Sequence, residues 1–180
     1  WNGHQAPLAC LGAAQEDRVN DLVKKIGSDG AVSGRIRDVK AAILVESLSG
    51  NTWKAAENVA ELLQQERWTI TGLSKVKHPD YQSIHEADLV LVGTWVHGAF
   101  LFGQAPWAAN NIANLPAMRG KKAAAFCTFA LDPGRSLDKL TNVLGDTGAY
   151  VIGGLAMSRS KLDQHSEEFA ARLLDATVDA

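Results

Sequence analysis

The chain has 180 residues, and what is scarce in it narrows the reading first. It has two cysteines, Cys10 and Cys127. They are too few and too far apart for a disulfide framework or a metal-ligand spacing. Cys127 falls in an apolar run with no activating neighbour in sequence, so it reads as a core residue rather than a redox group. An excess of one charge is also missing. The formal net charge is -2, which gives no reason to expect a nucleic acid or an anionic membrane as partner. No apolar run approaches the roughly 20 residues of a membrane-spanning helix. The front end lacks the apolar stretch of a signal peptide, and Pro7-Leu8-Ala9 before Cys10 is a poor lipid-attachment box that we discount. His, Asp and Glu are scattered without metal-ligand spacing. The serines near residue 47 have no placed histidine to form a hydrolytic triad. The default expectation is a soluble cytoplasmic protein without a resident metal.

What is present divides at about residue 40. Residues 1–40 carry six basic and five acidic residues, and residues 41–180 carry twelve and fifteen. The main portion is therefore mildly acidic. In the front segment, Val19, Leu22, Val23 and Ile26 form one stripe of a helix over 15–27. The run GSDGAVSG at 27–34 reads as a flexible break. From residue 41 the texture becomes strand and helix in alternation. Strands are predicted at 41–46, 68–73, 88–93, 121–128 and 149–155, and helices at 51–66, 106–114, 136–147 and 162–176. The strands are short, apolar on both faces and separated by helices, which predicts a parallel sheet covered on both sides. The expected organisation is an N-terminal extension over 1–40 and one α/β domain over 41–180.

The most informative stretch is ILVESLSGNTWKAAENV, residues 43–59. A buried strand ends at Glu46, and Ser47, Ser49, Gly50, Asn51 and Thr52 follow before a helix begins. In an open parallel sheet, ligands bind off the carboxyl ends of the strands. A helix N-terminus there offers free N–H groups and partial positive charge to an anion. The loop has no lysine, so it is not the P-loop of nucleotide hydrolases, and it is not the G-x-G-x-x-G of dinucleotide binders. Neutral donors suit a phosphate held without a counter-charge. Plain helix capping by Ser, Asn or Thr is the alternative. Two further strand ends, Gly93-Thr94-Trp95-Val96-His97-Gly98 and Thr128-Phe129-Ala130-Leu131-Asp132-Pro133-Gly134, are read as loops on the same edge. One brings a tryptophan and the other a phenylalanine, giving a phosphate cradle beside a slot for a flat ring. Trp53 and Trp107 are read outside this slot, Trp107 as a buried residue of a first helical turn.

The run Glu46-Ser47-Leu48-Ser49-Gly50-Asn51-Thr52 resembles the (Thr/Ser)-x-(Thr/Ser)-Gly-x-Thr phosphate loop of the flavodoxin family. GTWVHG resembles that family's ring-contacting loop, and GKKAAAFCTF with LTNVLGDTGAYVIGG its fourth and fifth strands. The resemblance spans roughly residues 41–177. It implies a doubly wound five-stranded parallel sheet of order 2-1-3-4-5 with FMN at the switch between strands one and three. It further implies that Ser47, Leu48, Ser49, Gly50, Asn51 and Thr52 surround the FMN phosphate. Thr94, Trp95, Val96, His97 and Gly98 would line one side of the isoalloxazine, and Thr128, Phe129, Ala130, Leu131, Asp132 and Pro133 the other. The third loop departs from the family, reading FALDPG where many flavodoxins have a tyrosine or an acidic Gly-Asp pair.

Three functional readings follow, two from this resemblance and one from the front segment. The first is an FMN electron carrier serving a redox partner protein or a small acceptor, with a mildly acidic rim lowering the flavin's potential. The second is an NAD(P)H-dependent flavin or quinone reductase, with FLFGQAPW at 100–107 as an apolar wall over the ring. The third is an interaction module docking through residues 1–40. That segment's alternative role is to protect a sheet edge.

Overall fold

The computed structural model describes residues 38–97, 105–115 and 118–178. The predicted helix over 15–27, the break at 27–34, Gly98 and most of the 100–107 wall lie outside them. β1 (Lys40–Val45), β2 (Thr69–Lys75), β3 (Leu89–His97), β5 (Lys122–Phe129) and β6 (Tyr150–Ser158) form one parallel sheet in the order β2-β1-β3-β5-β6. Counting the parallel strands alone, this is the expected 2-1-3-4-5. A two-residue strand, β4 (Ala105–Pro106), folds back antiparallel onto Val96 and His97 of β3.

Each face of the sheet is covered because both sets of alternate side chains are apolar. On one face Ile43, Val45, Leu89, Leu91, Phe126 and Met157 meet α1 (Asn51–Gln65) and α5 (Leu162–Val178). Those helices contribute Ala55, Val59 and Leu63, and Phe169 and Leu173, at four-residue spacings. On the other face Leu44, Val90, Val92 and Ala125 meet α2 (Tyr81–Glu86), α3 (Ala109–Ala113) and α4 (Ser136–Asp146) through Ile84, Ile112, Leu140 and Leu144. Gly93 is where β3 makes room for bulk, since a Cβ there would run into the Phe126 ring.

Two sequence expectations need correction, and one helix, α2, was not expected. Thr94 to His97 continue β3 rather than forming a loop, because β5 pairs with β3 up to Trp95↔Thr128 and β4 pairs with the two residues beyond. The helix expected over 106–114 is only Ala109–Ala113, since Pro106 is held in the β3–β4 ladder. The helix α2 is too short to show a periodicity. It starts at Asp80, whose carboxylate accepts from the N–H groups of Gln82 and Ser83.

Candidate functional site at the carboxyl edge of the sheet

The carboxyl ends of β1, β3 and β5 lie side by side, so the three sequence segments converge on one edge. The Glu46 N–H donates to the Gly93 carbonyl at 2.9 Å, extending the β1–β3 ladder to the brink of the first loop. The chain then turns through residues 47–50. Gly50 has φ 83, a left-handed conformation that favours glycine, and no heavy atom lies within 4 Å of where its Cβ would stand. Gly50 is also the residue preceding α1, and among the described residues no side chain caps that helix. Plain capping is therefore not what the small polar residues do. The helix presents uncapped N–H groups, with their partial positive charge, at the loop.

The hydroxyls of the loop divide into separate tasks. Ser47 Oγ is buried and has no partner among the described residues. Ser49 Oγ accepts from Asn51 Nδ2 at 2.9 Å, which braces the turn from within. The Thr52 and Thr128 hydroxyls, both buried, hydrogen-bond at 2.7 Å and tie the first loop to the end of β5. Leu48 projects outward with 75% of its surface exposed.

On β3, Thr94 is fully buried and its hydroxyl donates to the Trp107 carbonyl at 2.7 Å. The Trp107 N–H in turn donates to the Trp95 carbonyl at 3.0 Å. The two indoles stack with centroids 5.2 Å apart and planes at 27°. This corrects the expectation for Trp107. It is 39% exposed and precedes α3, because the β3–β4 hairpin carries it back over Trp95 rather than into the core. Trp95 and Val96 are half-buried. His97 ends β3 with its backbone paired to Ala105. Trp53 is separate from this group, with its Nε1–H donating to Glu57 one helical turn on.

Thr128 and Phe129, expected in a loop, instead end β5, with half-buried Phe129 in register with Ser158 of β6. Ala130 and Asp132 are exposed, Pro133 is half-buried, and Leu131 is 81% exposed. The Asp132 carboxylate accepts from the Gly134 N–H at 3.0 Å, closing a turn. The structure thus gathers residues 47–52, 94–96 and 128–133 around one edge, with Thr94, Thr52 and Thr128 occupied in holding that edge together. Cys127 takes no part. Burial pushes its thiol up to about 12, so it stays protonated at neutral pH.

Sequence reasoning marked Glu46 as a charge at the end of a strand and passed over its link to Lys77. Glu46 is buried, with 9% exposure, and the Lys77 ammonium lies 3.6 Å from its carboxylate. Lys77 follows β2, the strand beside β1, so the strand order itself is the signal that would have placed it there. Among the described residues, no group of three or more His, Cys, Asp or Glu is placed to hold a metal ion, and no helix is long and apolar enough to cross a membrane.

Residues 42–174 match the family model described as a flavodoxin domain. No curated protein matches the chain. Among solved structures, a flavodoxin from Pseudomonas aeruginosa is 20% identical with a TM-score of 0.61, over 77% of this chain and 98% of its own. Oxidised Flavodoxin 1 from Bacillus cereus is 21% identical with a TM-score of 0.57, over 76% and 97%. The two-electron-reduced flavodoxin from Megasphaera elsdenii is 19% identical with a TM-score of 0.56, over 73% and 98%. At such identities the structures attest the shared fold, and the family match covers well over half of the residues, so the chain belongs to the flavodoxin family, whose cofactor is FMN.

Proposed function

We propose that this chain binds FMN at the carboxyl edge of its sheet and transfers electrons through it. The observation that carries the reading is the start of α1. Among the described residues its N–H groups are uncapped, Gly50 leaves open space beside them, and Ser47 Oγ is buried without a partner. Neutral donors around a helix N-terminus suit a phosphate ester. Ser47, Ser49, Asn51 and the backbone N–H groups of the loop would hold that phosphate. Thr52 would contribute chiefly by locking the loop to Thr128. Trp95 and Val96 on one side, and residues 129–133 on the other, would flank the ring. Bound there, FMN supplies the electron chemistry, and the protein sets its potential through stacking, hydrogen bonds and nearby charge.

The test is a visible absorption spectrum of the purified protein, repeated after adding FMN and desalting. A retained flavin spectrum is expected. A colourless protein that does not retain added FMN would overturn the reading and favour an interaction module. Steady-state oxidation of NAD(P)H with a quinone then separates carrier from reductase. A carrier shows little turnover without a partner reductase.

A further inference from the structure

Glu46 stands at the junction between the phosphate loop and the ring-bearing strand. Its backbone N–H is bound to Gly93, directly before Thr94 and Trp95, and Ser47 follows it. The Glu46 side chain is 11% exposed. One carboxylate oxygen, Oε1, lies 3.6 Å from the half-exposed Nζ of Lys77. The other, Oε2, is buried and meets no donor among the described residues, and the same holds for the adjacent Ser47 Oγ. Buried carboxylate oxygens are normally paired, because leaving one unpaired sacrifices hydration without replacement. Two consecutive residues with unpartnered buried oxygens at a ligand edge point to a ligand that supplies their partners.

The chemistry of Oε2 restricts what that partner is. A carboxylate only accepts hydrogen bonds. A phosphate dianion has no proton to give and would add a like charge, whereas a hydroxyl donates. Between its phosphate and its ring, FMN carries a polyol chain. A cofactor with its phosphate at residues 47–52 and its ring beside Trp95 must pass that chain across the residue that joins the two. We propose that Glu46 is the hydroxyl-recognition residue for the cofactor's polyol chain, with Lys77 holding one carboxylate oxygen so that the other is presented. This inference rests on the FMN reading above.

Three flavins separate the possibilities: FMN, riboflavin, which lacks the phosphate, and lumiflavin, which lacks the whole chain. Affinities are measured by fluorescence titration of the apoprotein and of Glu46→Leu and Glu46→Gln. Loss of a hydrogen bond to a charged group predicts about a tenfold weakening for Glu46→Leu. The factor should be the same for FMN and riboflavin, smaller for Glu46→Gln, and absent for lumiflavin. Apo Glu46→Leu should melt no lower than the parent, because it removes a buried charge. The proposal is overturned if FMN binds more tightly while riboflavin is unchanged, since the carboxylate would then face the phosphate as a repelling charge. Equal loss for all three flavins, or no change in any, also overturns it. A parent that binds riboflavin or FMN keeps the cofactor reading whatever the variants do. A parent that binds none of the three overturns both.

Discussion

Gly93 illustrates how single residues shape the site from beneath. Its missing side chain is the space that Phe126 fills, at the point where β3 begins to carry Thr94 and Trp95. Gly93→Ala should therefore destabilise the fold by about 1–3 kcal/mol, the usual cost of forcing extra volume into a packed core. Urea unfolding measures this, and an unchanged midpoint would mean that the Phe126 ring turns aside freely. At this scale the sequence was only partly legible. The cluster of small polar residues at 47–52 was plain, but their division of labour was not. Ser49 is committed to Asn51 and Thr52 to Thr128, which leaves Ser47 as the loop hydroxyl without a partner among the described residues. A partner 76 positions away, as Thr128 is from Thr52, follows from strand register, which no local pattern encodes.

Among the elements, long apolar periodicities gave the strands and the larger helices, and short or polar stretches did not. Thr94 to His97 look like a loop because polar and aromatic residues follow an apolar run. They are strand because β5 and β4 offer backbone partners on either side. In α2, six residues carry too little pattern, and the start is instead written in Asp80. Its hydrogen bonds to the Ser83 hydroxyl and N–H and to the Gln82 N–H hold the carboxyl below its ordinary value of 3.8. A carboxyl depressed in the folded state contributes stability above its unfolded value. That contribution is lost as pH falls through the folded one. Asp80→Ala should thus lower the denaturation midpoint at pH 7, and the gap from the parent should narrow as pH drops below the carboxylate range. A gap independent of pH would assign the effect to the Ser83 hydroxyl network instead. At the far end of α1, the Arg67 N–H bonds the Gln64 carbonyl and the Trp68 N–H bonds the Leu63 carbonyl, a Schellman closure with Arg67 at φ 64. Glycine is the residue that this left-handed position prefers. Arg67→Gly should therefore stabilise by about 0.5–1 kcal/mol, net of glycine's greater freedom when unfolded. Thermal melts at several pH values would check it, and a lower midpoint would show that the arginine stem contributes packing.

For the molecule as a whole, the strand order decides which loops become neighbours. Strands apolar on both faces made a parallel sheet with crossovers readable, but the order itself came only with the family resemblance carried by residues 46–52. The pairing of Glu46 with Lys77 was not read, since it depends on β2 lying beside β1 and not on any motif. Net charge also acts at this scale. Residues 41–180 hold twelve basic and fifteen acidic residues, an excess of three negative charges. Reducing a bound flavin to its anionic form adds another negative charge to this field. Each unit charge about 10 Å away through water opposes it by roughly 0.4 kcal/mol. The summed effect is a potential lower than that of free FMN, on the order of tens of millivolts. Such a contribution is screened by salt, because the Debye length falls from about 30 Å at 0.01 M to about 3 Å at 1 M. Redox titration of the FMN-loaded protein across that range should show the potential starting below that of free FMN and rising with ionic strength. A low potential that ignores salt would locate its cause in stacking against Trp95 and in short-range hydrogen bonds. A potential at or above that of free FMN would mean that the acidic excess lies too far from the ring to act on it.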